Sequence, residues 1–368
     1  MKWVGTNLRQ IAKEAGFTQA DLAAKLNVSR PTVISWMKDQ VPKGIELMKL
    51  CQLFQCDPEC FFENDVVFSY PKHRLRAHAK KTEQLEKNTI TLIRDFECLF
   101  ERDYSEPLQL AFKFHSQSDP FVMAQELRKI AGVTEKNPLK LKDAFDLATA
   151  LKIFVIPIAF PEELAHKTSA FYTLYNNCNK VIFVNNKTNC LDLVYFTLHE
   201  ICHALSNSEE IDEAEESFCE KTARAIQFPK CYISKVFSQI EGKNLATTIN
   251  LLKRFSVENH HSLYGLAKEL DHYYNTSYTK HIGGANQNLN KSLPNLKKLL
   301  LDDGIHRFIH NFSLISPRYF EKIILRKYNE FSDRRLCELL GLDDVTTINE
   351  LRAELERCSN ANQAGCAY

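Results

Sequence analysis

The stretch TQADLAAKLNVSRPTVISW, residues 18–36, constrains the fold of this chain more than any other. It reads as two short helices joined at a tight turn. Thr18 stands where an N-cap belongs, and Asp21 follows at the position that completes a capping box. Asn27 suits the left-handed residue that ends the first helix. Ser29 can cap the second, with Pro31 in its tolerated first turn. This is helix-turn-helix spacing, in which the second helix lies in the DNA major groove. Arg30, Thr32 and Ser35 are its exposed polar positions and the candidates for base edges. Gln19 and Ser29 are placed for backbone phosphates, while Val28, Val33 and Trp36 should face inward. A helix before the pair (NLRQIAKEAG), one after it (GIELMKLCQLF) and a start at Asp57-Pro58 predict a five-helix domain over residues 1–65.

The remainder must hold more than one core. The chain has 368 residues, 44% hydrophobic and 25% charged. Its net charge of +1 argues for no global attraction to nucleic acid or membrane. The longest apolar run, IFVIPIAF (residues 153–160), is too short to span a bilayer. The first residues lack the apolar core of a signal peptide, so a cytoplasmic location is expected. The 12 cysteines show no C-x-x-C pair and are expected mostly as buried thiols.

A basic, helical connector is expected over residues 66–117. Its run at 72–81 suits either DNA phosphates or solvent. Next come two helices (FVMAQELRKIAGV and LKLKDAFDLATALK), the strand IFVIPIAF and a hairpin, SAFYTLYNNCNKVIFVNN. Two further helices follow, the second acidic and ended by Pro229. Residues 233–368 read as helical, with a polar linker at 280–295 and an unstructured end. His260 and His261 are adjacent, a poor metal pair in a helix, and are expected at the surface.

The first of the two helices after the hairpin carries FTLHEICHAL, residues 196–205. Residues four apart share a helix face, so His199 and His203 can point at one ion. Glu200 falls beside that face, where it can take a proton from water without being a ligand. Leu198, Ile201, Cys202 and Leu205 form an apolar face, so the helix would also be stable without a metal.

Two resemblances bear on these motifs. TQADLAAKLNVSRPTVISW and the helix after it resemble the XRE/lambda-repressor family, with Met37 where that family usually has Glu. TSAFYTLYNNCNKVIFVNN, YFTLHEICHAL and EESFCEKTARAIQFP resemble the ImmA/IrrE family of zinc metallopeptidases, with departures at Leu193 and Cys202. The second resemblance implies Zn2+ at His199 and His203, with Glu200 as general base. It also implies cleavage or inactivation of a protein such as a repressor.

The third ligand belongs on the acidic helix. Mirroring the two histidines across the turn between the helices gives Glu213. The lean of helical side chains toward their N-termini moves the position to 215 or 216. Alignment with the metallopeptidases on Pro229 favours Glu216, with Glu213 second. Cys219 is expected as a buried thiol against the active helix. Glu220 is expected to face solvent or to hold a ligand histidine.

The expected architecture is mainly α with a small β-sheet, α+β. It comprises the helix-turn-helix domain (1–65), the connector (66–117), a zincin-like peptidase core (118–232) and a helical C-terminal region (233–368). The expected function is a DNA-binding regulator with a zinc endopeptidase. Its partners would be double-stranded operator DNA, a protein substrate and a second copy in a homodimer, with no membrane. The alternatives are a repressor whose peptidase-like core is a non-catalytic sensor, and an antitoxin-like interaction protein.

Overall fold

The computed structural model describes residues 3–56, 58–62, 83–100, 117–206, 213–301, 304–342 and 346–363, with Tyr104, Leu110, Phe112, Phe114 and His115. Two compact units emerge: Met1–Val67 with Lys327–Ile348, and Phe68–Arg326 with Asn349–Tyr368. The described residues are mostly helical with one three-stranded sheet, an α+β architecture. Among them no helix is long and apolar enough to cross a membrane.

The first unit holds α1 (Gly5–Glu14), α2 (Gln19–Leu26), α3 (Arg30–Trp36) and α4 (Gly44–Phe54). The fifth expected helix is a 3-10 turn, Pro58–Phe61. The capping chemistry is as the sequence predicts. Thr18 Oγ1 accepts Asp21 N–H at 3.2 Å, and Asp21 Oδ2 accepts Thr18 N–H at 2.9 Å. Asn27 is left-handed at φ 56°. Ser29 Oγ accepts Thr32 N–H at 3.2 Å. Leu8, Leu22, Leu26, Val33, Trp36, Leu50 and Phe61 form the core. The start of α1 lies so close to the end of α3 that a Cβ on Gly5 would fall 2.4 Å from the Trp36 carbonyl oxygen. Helix Asp333–Leu339, capped by Ser332, belongs to this unit too.

The second unit begins with α5 (Glu83–Glu97), α6 (Pro120–Ile130) and α7 (Leu141–Ala150). Then come β1 (Phe154–Ile158), α8 (Glu162–Ala165), β2 (Ala170–Tyr175) and β3 (Asn179–Asn185). The central strand is β3, parallel to β1 and antiparallel to β2. Asn176 and Asn177, both at positive φ, make the β2–β3 turn, closed by Cys178 N–H donating to Tyr175 O at 3.1 Å. Two consecutive left-handed residues match the twist of a hairpin. Phe96 meets Phe183 on the sheet with ring centroids 5.1 Å apart, and Phe100 stacks on Tyr175 at 4.9 Å.

Helix α9 (Cys190–Ser206) packs on β2, β3 and α7, and α10 (Glu213–Gln227) packs on α9 and α6. A buried arginine locks this arrangement. Arg128 on α6, 1% exposed, donates to the carbonyls of Ile226, Thr134 and Asn137 and pairs with Glu135 at 3.2 Å. It thereby satisfies a C-terminal carbonyl of α10 that has no helical partner.

Beyond α10, α11 (Lys230–Ile240), α12 (Leu245–Asn259), α13 (Leu263–Tyr274) and α14 (Gly283–Ser292) share a core of Ile233, Val236, Leu252, Leu266, Leu270 and Leu289. Helix α14 occupies the stretch expected as a polar linker, because Ile282 and Leu289 suffice to seat it. The C-terminal helix runs to Gln363, so residues 359–363 are structured, contrary to expectation. His261 corrects another expectation. His260 takes a left-handed conformation (φ 52°) and stays exposed, which turns His261 inward. There its Nε2 lies 2.7 Å from Tyr232 Oη, and burial pushes its pKa down to about 4. Among the described cysteines only Cys202, Cys219 and Cys337 are buried. The basic run at 72–81 lies outside the described residues.

Replacing Arg128 with Met would leave the carbonyls of Ile226, Thr134 and Asn137 without this donor. The expected loss is about 3–5 kcal/mol of stability, read from urea unfolding. A change below about 0.5 kcal/mol would show that solvent reaches these groups.

Candidate functional site

In the first unit four of the five residues expected at DNA, Gln19, Ser29, Arg30 and Thr32, lie at the N-terminal ends of α2 and α3, and Ser35 lies in the last turn of α3. Arg30 is exposed, and its Nη2 lies 3.5 Å from Gln19 Oε1. Ser29 and Thr32 hydroxyls lie 2.7 Å apart across the cap. Ser35 is half-buried and donates to Thr32 O at 2.7 Å, so its hydroxyl proton is already engaged. Arg30 and Gln19 are therefore the long side chains of the set that can extend outward. Met37, the departure from the family pattern, is 5% exposed, and its carbonyl accepts from Arg9 at 3.1 Å.

In the second unit the two histidines of α9 and an acid of α10 converge. The Nε2 atoms of His199 and His203 lie 3.1 Å apart. Glu216 Oε1 is 3.3 Å from His199 Nε2, and its Oε2 is 3.2 Å from His203 Nε2. Four-coordinate zinc with bonds of about 2.0–2.1 Å holds its ligands about 3.3–3.4 Å apart. The donor set thus fits one zinc ion with only small adjustment. Both histidines are buried, while the Glu216 side chain is 36% exposed and leaves the site open on that side.

The charges fit as well. Burial alone would raise the Glu216 pKa, but the two imidazoles outweigh it and hold the carboxyl well below the usual carboxylate range. Burial alone would lower the His203 pKa, but Cys219, Glu215 and Glu216 around the ring push it up to about 12. Glu200 is 2% exposed, and its Oε2 accepts Tyr172 N–H on β2 at 2.8 Å.

Of the other acids, Glu213 is exposed. Glu220 is half-buried and pairs with Lys268 on α13 at 3.0 Å and with Arg224 at 3.9 Å. The residue beside His203 is Glu215, buried, with Oε1 3.7 Å from Nδ1 and accepting from Ser206 Oγ at 2.5 Å. Sequence reasoning bracketed 215 and 216 but used only one. Adjacent helical residues diverge, so an acidic pair can flank a histidine on both ring nitrogens. Cys219 is buried close to His203, as expected.

Residues 8–59 match the HTH_3 helix-turn-helix family model, which supports a DNA-binding transcriptional regulator. No curated protein and no solved structure matches the chain.

Proposed function

We propose that the chain is a DNA-binding regulator whose second unit is a zinc-dependent endopeptidase with a zincin-like core, acting on a protein such as a repressor. The observation that carries this reading is the convergence of three donors: the His199 and His203 Nε2 atoms 3.1 Å apart on a helix where Glu200 follows His199, with the Glu216 carboxylate reaching one through Oε1 at 3.3 Å and the other through Oε2 at 3.2 Å. His199, His203 and Glu216 would hold the metal. Bound zinc supplies Lewis acidity, which polarises a carbonyl and lowers the pKa of water. Glu200 takes the water's proton at a carboxylate oxygen and passes it to the leaving amine nitrogen. Strand β2 is the sheet edge beside Glu200, and an extended substrate could add to it.

One observation favours a second reading, a non-catalytic metal-binding sensor. The hydrogen bond from Tyr172 N–H stabilises the Glu200 carboxylate and makes it a weaker base.

Glu200→Gln separates the two. On the peptidase reading it keeps zinc, because Glu200 is not a ligand, and loses proteolysis by about 100-fold or more. Regulation by Glu200→Gln that matches wild type would favour the sensor. Wild type purified without any divalent metal would end both.

Zinc affinity tests the ligand set. It should fall sharply in Glu216→Ala and stay near wild type in Glu213→Ala. The reverse order would move the site along α10.

For the first unit, Arg30→Ala should cost about 1–3 kcal/mol on the preferred duplex and relax one base position, as loss of a bidentate base contact does. Binding assays at several salt concentrations check this. Equal affinity for preferred and random duplex in wild type would refute base reading.

A further inference from the structure

The His203 imidazole has metal donors on both sides. Its Nε2 faces His199 and Glu216. Its Nδ1 lies 3.7 Å from Glu215 Oε1, and one donor atom from each of His203, Glu215 and Cys219 lies within 4.8 Å of the other two. All three residues are buried. A zinc ion held by sulfur at about 2.3 Å and nitrogen at about 2.0 Å separates these two donors by about 3.5 Å. The cluster therefore needs to close by no more than about 1.3 Å to hold one. Glu215 is steadied by Ser206 Oγ at 2.5 Å. The 3.7 Å from His203 Nδ1 to Glu215 Oε1 is longer than a hydrogen bond.

We propose that His203, Glu215 and Cys219 form a second, inner metal site for a thiophilic cation, which competes with the outer site for His203. A thiolate beside an imidazole suits zinc, cadmium or cuprous ions and disfavours magnesium and calcium. Binding replaces the Cys219 S–H bond by a sulfur–metal bond, and the proton leaves to solvent. Competition follows from the ring. A neutral imidazole has a single nitrogen lone pair, its other nitrogen carrying hydrogen. When Nδ1 holds an ion, the Nε2 proton points at the outer site and removes one of its three donors. Thiophilic metal would thus switch off the outer site without touching Glu200 or Glu216. The competition rests on the zinc-centre reading of the outer site; the inner site does not.

The test uses Cd2+ on the full, metal-free, reduced chain, with the ultraviolet thiolate-to-cadmium charge-transfer band and the bound cadmium per chain as readouts. His199→Ala removes an outer donor and leaves every inner one. It should bind one Cd2+ with the band. Adding Cys219→Ser should abolish the band, while adding Cys231→Ser, at an exposed cysteine, should not. Glu216→Gln, at a half-exposed position, replaces His199→Ala if that variant does not fold. Absence of the band in both outer-site variants, or its survival with Cys219→Ser, overturns the inner site and leaves Cys219 a packing thiol. Wild type loaded with zinc beforehand should take up one Cd2+ and release its zinc as the band grows. Two ions held together overturn the competition. A wild type that takes no zinc, with the band present in His199→Ala, would defeat the peptidase reading and leave the inner site standing.

Discussion

Helix α9 carries two histidines and a glutamate through a segment in which every residue from Thr197 to Leu205 is buried, and the second unit is organised around that constraint. A buried carboxylate or imidazole costs several kcal/mol unless it is partnered. The partners come from different directions. Glu200 is met by a backbone amide of β2, the outer side of the histidine pair by Glu216, and the inner side of His203 by Glu215 and Cys219. Strand β2 and helix α10 therefore supply polar partners as well as apolar cover, and the chemistry of α9 selects both. Arg128 fixes the far end of the same helix α10 through the Ile226 carbonyl.

The C-terminal helices belong to this arrangement. Asn290 on α14 donates to Asp192 in the first turn of α9 at 2.9 Å. Asn189, just before α9, donates to the Asn290 carbonyl at 3.0 Å. Lys297 N–H donates to Asn186 O at 2.7 Å. On the other side Glu269 and Lys268 of α13 pair with Arg224 and Glu220 of α10, at 3.3 and 3.0 Å. Both helices that carry His199, His203 and Glu216 are thus braced by residues 268–297. Removing that region would release the start of α9 and the middle of α10, so the site is a property of the whole second unit.

Local chemistry made much of this legible in the sequence. Capping residues act within four positions, so Thr18, Asp21, Asn27 and Ser29 could be read directly, and the structure has each in its expected role. The asparagine turn of the hairpin and the histidine spacing were legible for the same reason. What could not be read is tertiary. Residues 280–295 carry polar side chains and glycines, yet two buried apolar residues and contacts with residues far away in sequence make most of them a helix. His261 turns inward because His260 is left-handed, and a histidine is a less frequent choice there than glycine or asparagine. On α10, mirroring alone gave Glu213, and the lean of the side chains moved the expectation to 215 or 216, where Glu216 lies beside both histidines. Neither step could show that its neighbour Glu215 faces the second nitrogen of the same histidine.

Glu200 exposes the tension in the site. A hydrogen bond to a charged group contributes about 1.5–3 kcal/mol, so the Tyr172 amide holds the carboxylate in place and lowers its basicity together. That amide points off the sheet. Asn185 N–H donates to Ser169 O at 2.9 Å, and alternation along the antiparallel pair turns the Tyr172 N–H away from β3, toward the edge. A peptide adding to that edge would seek the same donor. On the peptidase reading, substrate and Glu200 compete for one N–H, and an arriving strand would free the carboxylate as it docks. The base would be strongest when a carbonyl is present to be attacked. Without substrate it stays held by the sheet, where a buried carboxylate needs a donor most.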